Sequence, residues 1–181
     1  VRNHPQLGAT PVVLLVGAGE MSELAARHLV DHGALPVYVT NRTWARAQEL
    51  ARGLGGTAVP FDQLAATLAL VDIVVTSTAA PEPIVTAAQV RAALEKRRTR
   101  PLFFIDIAVP RNVEPAVNDV DNAFCYDIDD LRSVVEANLK ERQREALRAQ
   151  ALLEGEVVKF AGRLQQLEVV PTIVSLREKL E

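Results

Sequence analysis

The 181-residue chain is 49% hydrophobic and 24% charged, a balance that excludes disordered and collagen-like polymers and leaves enough apolar side chains for a core. Aromatics make up only 4%, so the core is aliphatic, and 20 basic against 23 acidic residues give a formal charge of −3, with no overall attraction to nucleic acid or anionic membranes. A single cysteine, Cys125, excludes an intramolecular disulfide and a cysteine-based zinc cluster, and no apolar run approaches the roughly 18–20 residues that cross a bilayer. A reducing, cytoplasmic setting without membrane contact is the expectation. A chain opening on Val1 rather than Met is expected to be a piece of a longer protein.

Residues 12–16 (VVLLV) are apolar without alternation, as in a strand covered on both faces. A glycine turn, Gly17-Ala18-Gly19-Glu20-Met21-Ser22, follows, and Leu24, Ala25, His28 and Leu29 then mark a helix closed at Gly33. Residues 36–40 read as a second strand, and Ala45, Ala47, Leu50, Ala51 and Leu54 as a helix ended by Gly55-Gly56. Residues 57–59 give a short third strand, 61–70 a short helix, 72–76 a fourth strand and 86–97 another helix. Strands at 101–106 and 123–126 complete the series. This alternation predicts an α/β fold, a Rossmann-type doubly wound parallel sheet over residues 1–128.

Beyond Asp129 the pattern changes. Proline is absent until Pro171, and apolar or small residues recur three or four apart from Leu131 through Leu167, predicting a long α-helix over 129–170. Its middle, Lys140-Glu141-Arg142-Gln143-Arg144-Glu145, is polar all round, as in a helix that bridges through solvent. Pro171 is expected to break the helix, and Ile173, Val174, Leu176 and Leu180 to begin another amphipathic stretch over 171–181.

Four segments carry chemistry. In the glycine turn, Gly17 suits the tight bend and Gly19 a close approach of the backbone to a pyrophosphate, which would rest on the free N–H groups opening the helix. Ser22 stands where a smaller residue is usual, and an ordinary strand–helix turn is the competing interpretation. The second strand ends in Thr40-Asn41-Arg42-Thr43, with no carboxylate to bind the ribose 2′-hydroxyl of NAD. Asn41 does not repel a phosphate and Arg42 offers a fork matched to phosphate oxygens, so NADPH is preferred over NADH; Thr43 serves equally well as a helix N-cap. Ser77-Thr78-Ala79-Ala80-Pro81 leave the fourth strand and Asp106-Ile107-Ala108-Val109-Pro110-Arg111 the fifth, at the edge where open parallel sheets bind ligands. A plain turn accounts for the first of these equally well, and Asp106 either braces a neighbouring backbone or faces the nicotinamide half. Cys125, between Phe124 and Tyr126 in an apolar strand, is expected to be an inert buried thiol. His28 and His32, four apart, are expected to form a solvated helix face rather than a metal pair, and His4 does not converge with them.

Taken together, GAGEMSELAARHL, NRTWARAQELA, STAAPEPI, FFIDIAVPRNVEP and YDIDDLRSVVEANLKERQREA closely resemble the glutamyl-tRNA reductase family. The resemblance implies an NADPH-binding domain, a spinal helix and the start of a helical dimerisation domain. It also implies an N-terminal domain, not contained in these residues, that recognises glutamyl-tRNA and carries a catalytic cysteine. That cysteine attacks the glutamyl ester, and reduction of the thioester gives glutamate-1-semialdehyde for tetrapyrrole (porphyrin, haem) biosynthesis. A homodimer is implied, as is the aminomutase that takes up the semialdehyde. No catalytic residue is assigned within this chain, which is expected to bind cofactor without turnover on its own. Two rivals are a shikimate-dehydrogenase-like NADP oxidoreductase, which shares a glycine loop followed by NRT, and a dinucleotide-binding module without chemistry.

Overall fold

The computed structural model describes residues 10–97 and 100–178; the expectations for Val1, His4 and Leu180 fall outside them. Six strands, β1 (Val13–Val16), β2 (Val37–Thr40), β3 (Thr57–Ala58), β4 (Ile73–Thr76), β5 (Leu102–Asp106) and β6 (Ala123–Asp127), form one sheet in the order β3-β2-β1-β4-β5-β6. Every pairing is parallel, with Val13 facing Val37 on one side and Ile73 on the other. The order reverses between β1 and β4. That switch point opens a crevice beyond the carboxyl ends of the strands.

The central strand is completely buried because its side chains feed two cores by strict alternation. Val13 and Leu15 join Val37, Val39 and Val75 under α1 (Glu20–Asp31) and α2 (Trp44–Gly53), which contribute Ala26, Ala47 and Leu50. Leu14 and Val16 join Val74, Leu102 and Phe104 under α3 (Leu64–Thr67) and α4 (Ala87–Arg97), which contribute Leu64, Val90 and Ala93. The helix expected over 61–70 is shorter: a 3-10 turn at Phe61–Gln63 leads into the four residues of α3.

At the opposite edge of the sheet from the crevice, Arg97 reaches into the protein with its side chain wholly buried. It donates to Asp72 Oδ1 (2.8 Å), to the Pro101 carbonyl (2.7 Å) and to the Val71 carbonyl, while Arg100 pairs with the same carboxylate at 2.5 Å. Burial alone would raise the Asp72 pKa, but the Val12 N–H and the two guanidinium groups outweigh it and hold the carboxyl below its ordinary range. A carboxyl depressed in the folded state contributes stability above its unfolded pKa and loses it as pH falls through the folded value. Denaturation midpoints are therefore expected to decline below about pH 4, and Asp72→Asn should flatten that decline; an unchanged acid slope would contradict the assignment. Arg97→Met leaves buried carbonyls unpaired and Asp72 with the exposed Arg100 as its one charged partner, and should cost about 3–5 kcal/mol in urea unfolding. A loss under 1 kcal/mol would count against it.

The helix α5 spans Ile128–Glu178, 51 residues. Its start is fixed by a reciprocal cap: Asp127 Oδ1 accepts from the N–H groups of Asp129 (2.8 Å) and Asp130 (2.9 Å), while Asp130 Oδ2 accepts from the Asp127 N–H (3.0 Å). The expected break at Pro171 does not occur, and the helical backbone continues to Glu178. Proline's fixed φ is itself helical; it forfeits one hydrogen bond and strains one turn, a local cost that the turns on either side outweigh. The chain divides into two compact units, Val1–Leu131 and Arg132–Glu181. In the second, Leu147, Leu153, Val157 and Phe160 are all exposed along the helix.

Candidate functional site

Beyond the carboxyl ends of β1, β2 and β4 lies a cleft of about 360 Å³. Its lining brings together Gly17, Ala18 and Gly19 with Asn41 and Arg42, and with Ser77, Thr78, Ala79 and Ala80, residues that the sequence keeps some 20 to 60 positions apart. The loop geometry is enforced by glycine. At Gly17 φ is +107°, and a Cβ there would stand 2.5 Å from the Ser77 carbonyl oxygen, so only hydrogen lets the β1 and β4 loops close on each other. Gly19 is the N-cap of α1 in extended conformation and supplies no capping side chain, which leaves the first N–H groups of the helix free of intrahelical partners.

The remaining turn residues divide by role. Glu20 and Met21 are exposed, Met21 at 57%, so their contribution to an anion is the backbone N–H; the Glu20 carboxylate would itself repel one. Ser22 is fully buried against the sheet, its hydroxyl without a partner among the described residues. At the end of β2, Asn41 Nδ2 donates to the Thr43 carbonyl (3.1 Å) and shapes the entry into α2. Thr43 is indeed the N-cap of α2, although its side chain makes no capping bond and it does not line the cleft.

Two lining residues were not anticipated, Arg46 and Phe61. Arg46 lies one turn beyond Arg42, in the first turn of α2, where the helix dipole disfavours a cation. Neither arginine has an ion-pair partner among the described residues. Two arginines without an ion-pair partner among the described residues, and no carboxylate, therefore line the β2 end of the cleft.

Asp106, Ile107, Ala108 and Val109 are not in the cleft lining. Asp106 is 1% exposed and committed to its neighbours: Oδ1 accepts from Thr76 Oγ1 (2.9 Å) and the Ala108 N–H (3.1 Å), and Oδ2 from the N–H groups of Asn112 (2.8 Å) and Val113 (2.9 Å). It braces the loop that follows β5, where Val109 is 82% exposed. Arg111 ties that loop to the base of α5, donating to the Asp106 carbonyl (3.0 Å) and pairing with Asp127 at 3.0 Å.

Comparison with known proteins agrees with this geometry. The family profile described as Shikimate / quinate 5-dehydrogenase matches residues 4–134. The chain belongs to that family. Within it, the curated relatives are glutamyl-tRNA reductases, as the sequence resemblance implied. The one from Trichlorobacter lovleyi is 53% identical over 169 residues, 93% of this chain and 39% of that protein. The one from Thermodesulfovibrio yellowstonii is 45% identical across 100% of this chain and 47% of its own length. Among solved structures, glutamyl-tRNA reductase from Methanopyrus kandleri superposes with a TM-score of 0.72 at 46% identity, covering 87% of this chain and 40% of that one.

The chain thus spans about two-fifths of the glutamyl-tRNA reductases it matches. A shikimate-dehydrogenase-like protein is not favoured, because the family profile stops near the start of α5 whereas the reductases match through most of that helix. The fold is one that binds a nicotinamide dinucleotide. Among the described residues no helix is long and apolar enough to cross a membrane, and no group of three or more His, Cys, Asp or Glu is placed to hold a metal. Cys125 is partly buried in β6, and burial, followed by the carboxylates of Asp106, Asp127 and Asp130, pushes its thiol up to about 12. It should therefore react with iodoacetamide far more slowly at pH 7.5 than a free thiol, and modification at the free-cysteine rate would contradict that environment.

Proposed function

We propose that this chain binds NADPH across the crevice at the β1–β4 switch point and serves as the cofactor domain of a glutamyl-tRNA reductase, forming glutamate-1-semialdehyde for tetrapyrrole biosynthesis. The observation that carries the cofactor assignment is the pair of unpaired arginines, Arg42 and Arg46, at the β2 end of a cleft with no carboxylate there. Those residues fit the group. The 2′-phosphate is the only chemical difference between NADPH and NADH, and two planar cations with Asn41 match it, with Thr43 fixing the turn between them.

The backbone N–H groups from Gly17 to Ser22 receive the pyrophosphate at the start of α1, where the dipole favours negative charge. Phe61 gives the adenosine end an apolar wall. Ser77, Thr78 and Ala79, with little side-chain bulk, let the other half lie close to β4, and the braced segment Ile107-Ala108-Val109 stands at the nicotinamide end. When bound, NADPH supplies a hydride to the carbonyl carbon being reduced. Cys125, protonated and partly buried, takes no part. Glutamyl-tRNA, a second subunit and the aminomutase that consumes the semialdehyde are the partners this function calls for, in a cytoplasmic setting.

The test is turnover by the protein translated from the complete reading frame, supplied with glutamyl-tRNA and NADPH. Glutamate-1-semialdehyde should form, Cys125→Ser should leave the rate unchanged, and NADH should be a poor substitute. No semialdehyde, or equal rates with either dinucleotide, would overturn this reading.

A further inference from the structure

We propose that Asn112, which does not line the cleft, is a positioning residue that sets its nicotinamide-side wall by holding the β4 loop; the inference rests on the dinucleotide reading above. Asn112 lies in the loop after β5 and is nevertheless completely buried. Its Oδ1 accepts two hydrogen bonds from a single residue 34 positions away, the N–H and the Oγ1 hydroxyl of Thr78, each at 2.8 Å. Thr78 lines the cleft, and its hydroxyl oxygen in turn accepts from the Ala80 N–H (3.2 Å).

The main chain of Asn112 is equally committed. Its N–H donates to Asp106 Oδ2 at 2.8 Å, and its carbonyl accepts from the N–H groups of Ile84 (2.8 Å) and Val85 (3.1 Å). One residue therefore joins the end of β5, the segment leading into α4 and the loop after β4. Its Nδ2 is buried with no partner among the described residues, so an amide here is a costly way merely to fill space. The acceptor Oδ1 accounts for it, because no apolar side chain could receive both Thr78 donors.

The strand order says which half of the ligand this affects. β2 and its arginines lie on one side of β1, and β4 and β5 on the other. A dinucleotide laid across the switch point with its adenosine at β2 has its nicotinamide half against the loops that Asn112 ties together. Loss of the tie should therefore weaken binding of the whole dinucleotide and spare a ligand that ends at the adenosine side.

The experiment is calorimetric titration of the full chain and its variants with NADPH and with 2′,5′-ADP, which lacks the nicotinamide half, alongside a thermal melt of each variant. Asn112→Ala should bind NADPH about tenfold more weakly, the loss expected for a buried hydrogen-bonding acceptor, with 2′,5′-ADP unchanged. Should Asn112→Ala fail to fold, Thr78→Val removes one of the two donors without changing the size of the side chain, and should weaken NADPH alone by about threefold. Equal losses for both ligands, or no loss for NADPH, would overturn the proposal while leaving the dinucleotide site in place. Binding of neither ligand by the unsubstituted chain would instead overturn the cofactor reading itself.

Discussion

Arg42→Ala is expected to reduce affinity for NADPH by about tenfold to hundredfold while leaving NADH binding nearly unchanged. A hydrogen bond between two charged groups contributes about 1.5–3 kcal/mol, and the 2′-phosphate that Arg42 would meet is absent from NADH. The glycine turn, which would meet the pyrophosphate common to both cofactors, is untouched by the substitution. Arg46 lines the same end of the cleft, so Arg42→Ala/Arg46→Ala should erase the remaining preference. Calorimetry with both cofactors measures this directly, and a double variant that still prefers NADPH would show that the arginines are bystanders.

A second large effect is expected at Gly17. Alanine there must adopt φ near +107° and place its methyl group 2.5 Å from the Ser77 carbonyl oxygen. The backbone conformation alone costs about 1–3 kcal/mol for a residue with a side chain, and the overlap adds to it. Relief requires the β4 loop to retreat, which displaces Ser77 and Thr78 from the cleft they line. Gly17→Ala should thus lower the unfolding free energy by about 3 kcal/mol and abolish binding of NADPH and NADH alike. Full-strength binding by this variant would mean that the two loops do not need their close approach.

The contrast between these two sites shows what the sequence makes legible. The unbroken run in residues 12–16 announces a strand buried on both faces, and the alternation of strands and helices leads directly to the parallel sheet. The glycine turn and Arg42 are readable because their chemistry is local: a bend, a helix N-terminus, a missing carboxylate. Arg46 was readable too, since Arg42 and Arg46 are four apart and a cation in the first turn of a helix opposes the dipole unless something anionic repays it.

Asn112 was not legible. Its importance lies in a bond to Thr78 that exists only once β4 and β5 are side by side, and nothing in residues 106–112 indicates which residue that loop will meet. The ambiguity at Asp106 had the same origin: a carboxylate at a strand end can face a ligand or a backbone, and only its four hydrogen bonds decide for the backbone. Pro171 misled for the opposite reason, since a local penalty is visible in sequence whereas the cooperative gain of the turns around it is not.

The measurement that bears most directly on the central claim is titration of the unsubstituted 181-residue chain with NADPH and with NADH at one ionic strength. NADPH should bind at least about tenfold more tightly, the lower bound for one charge-assisted contact to the 2′-phosphate, and the difference should shrink as salt screens the arginines. Equal affinities, or a preference for NADH, would contradict the assignment of this cleft as an NADPH site.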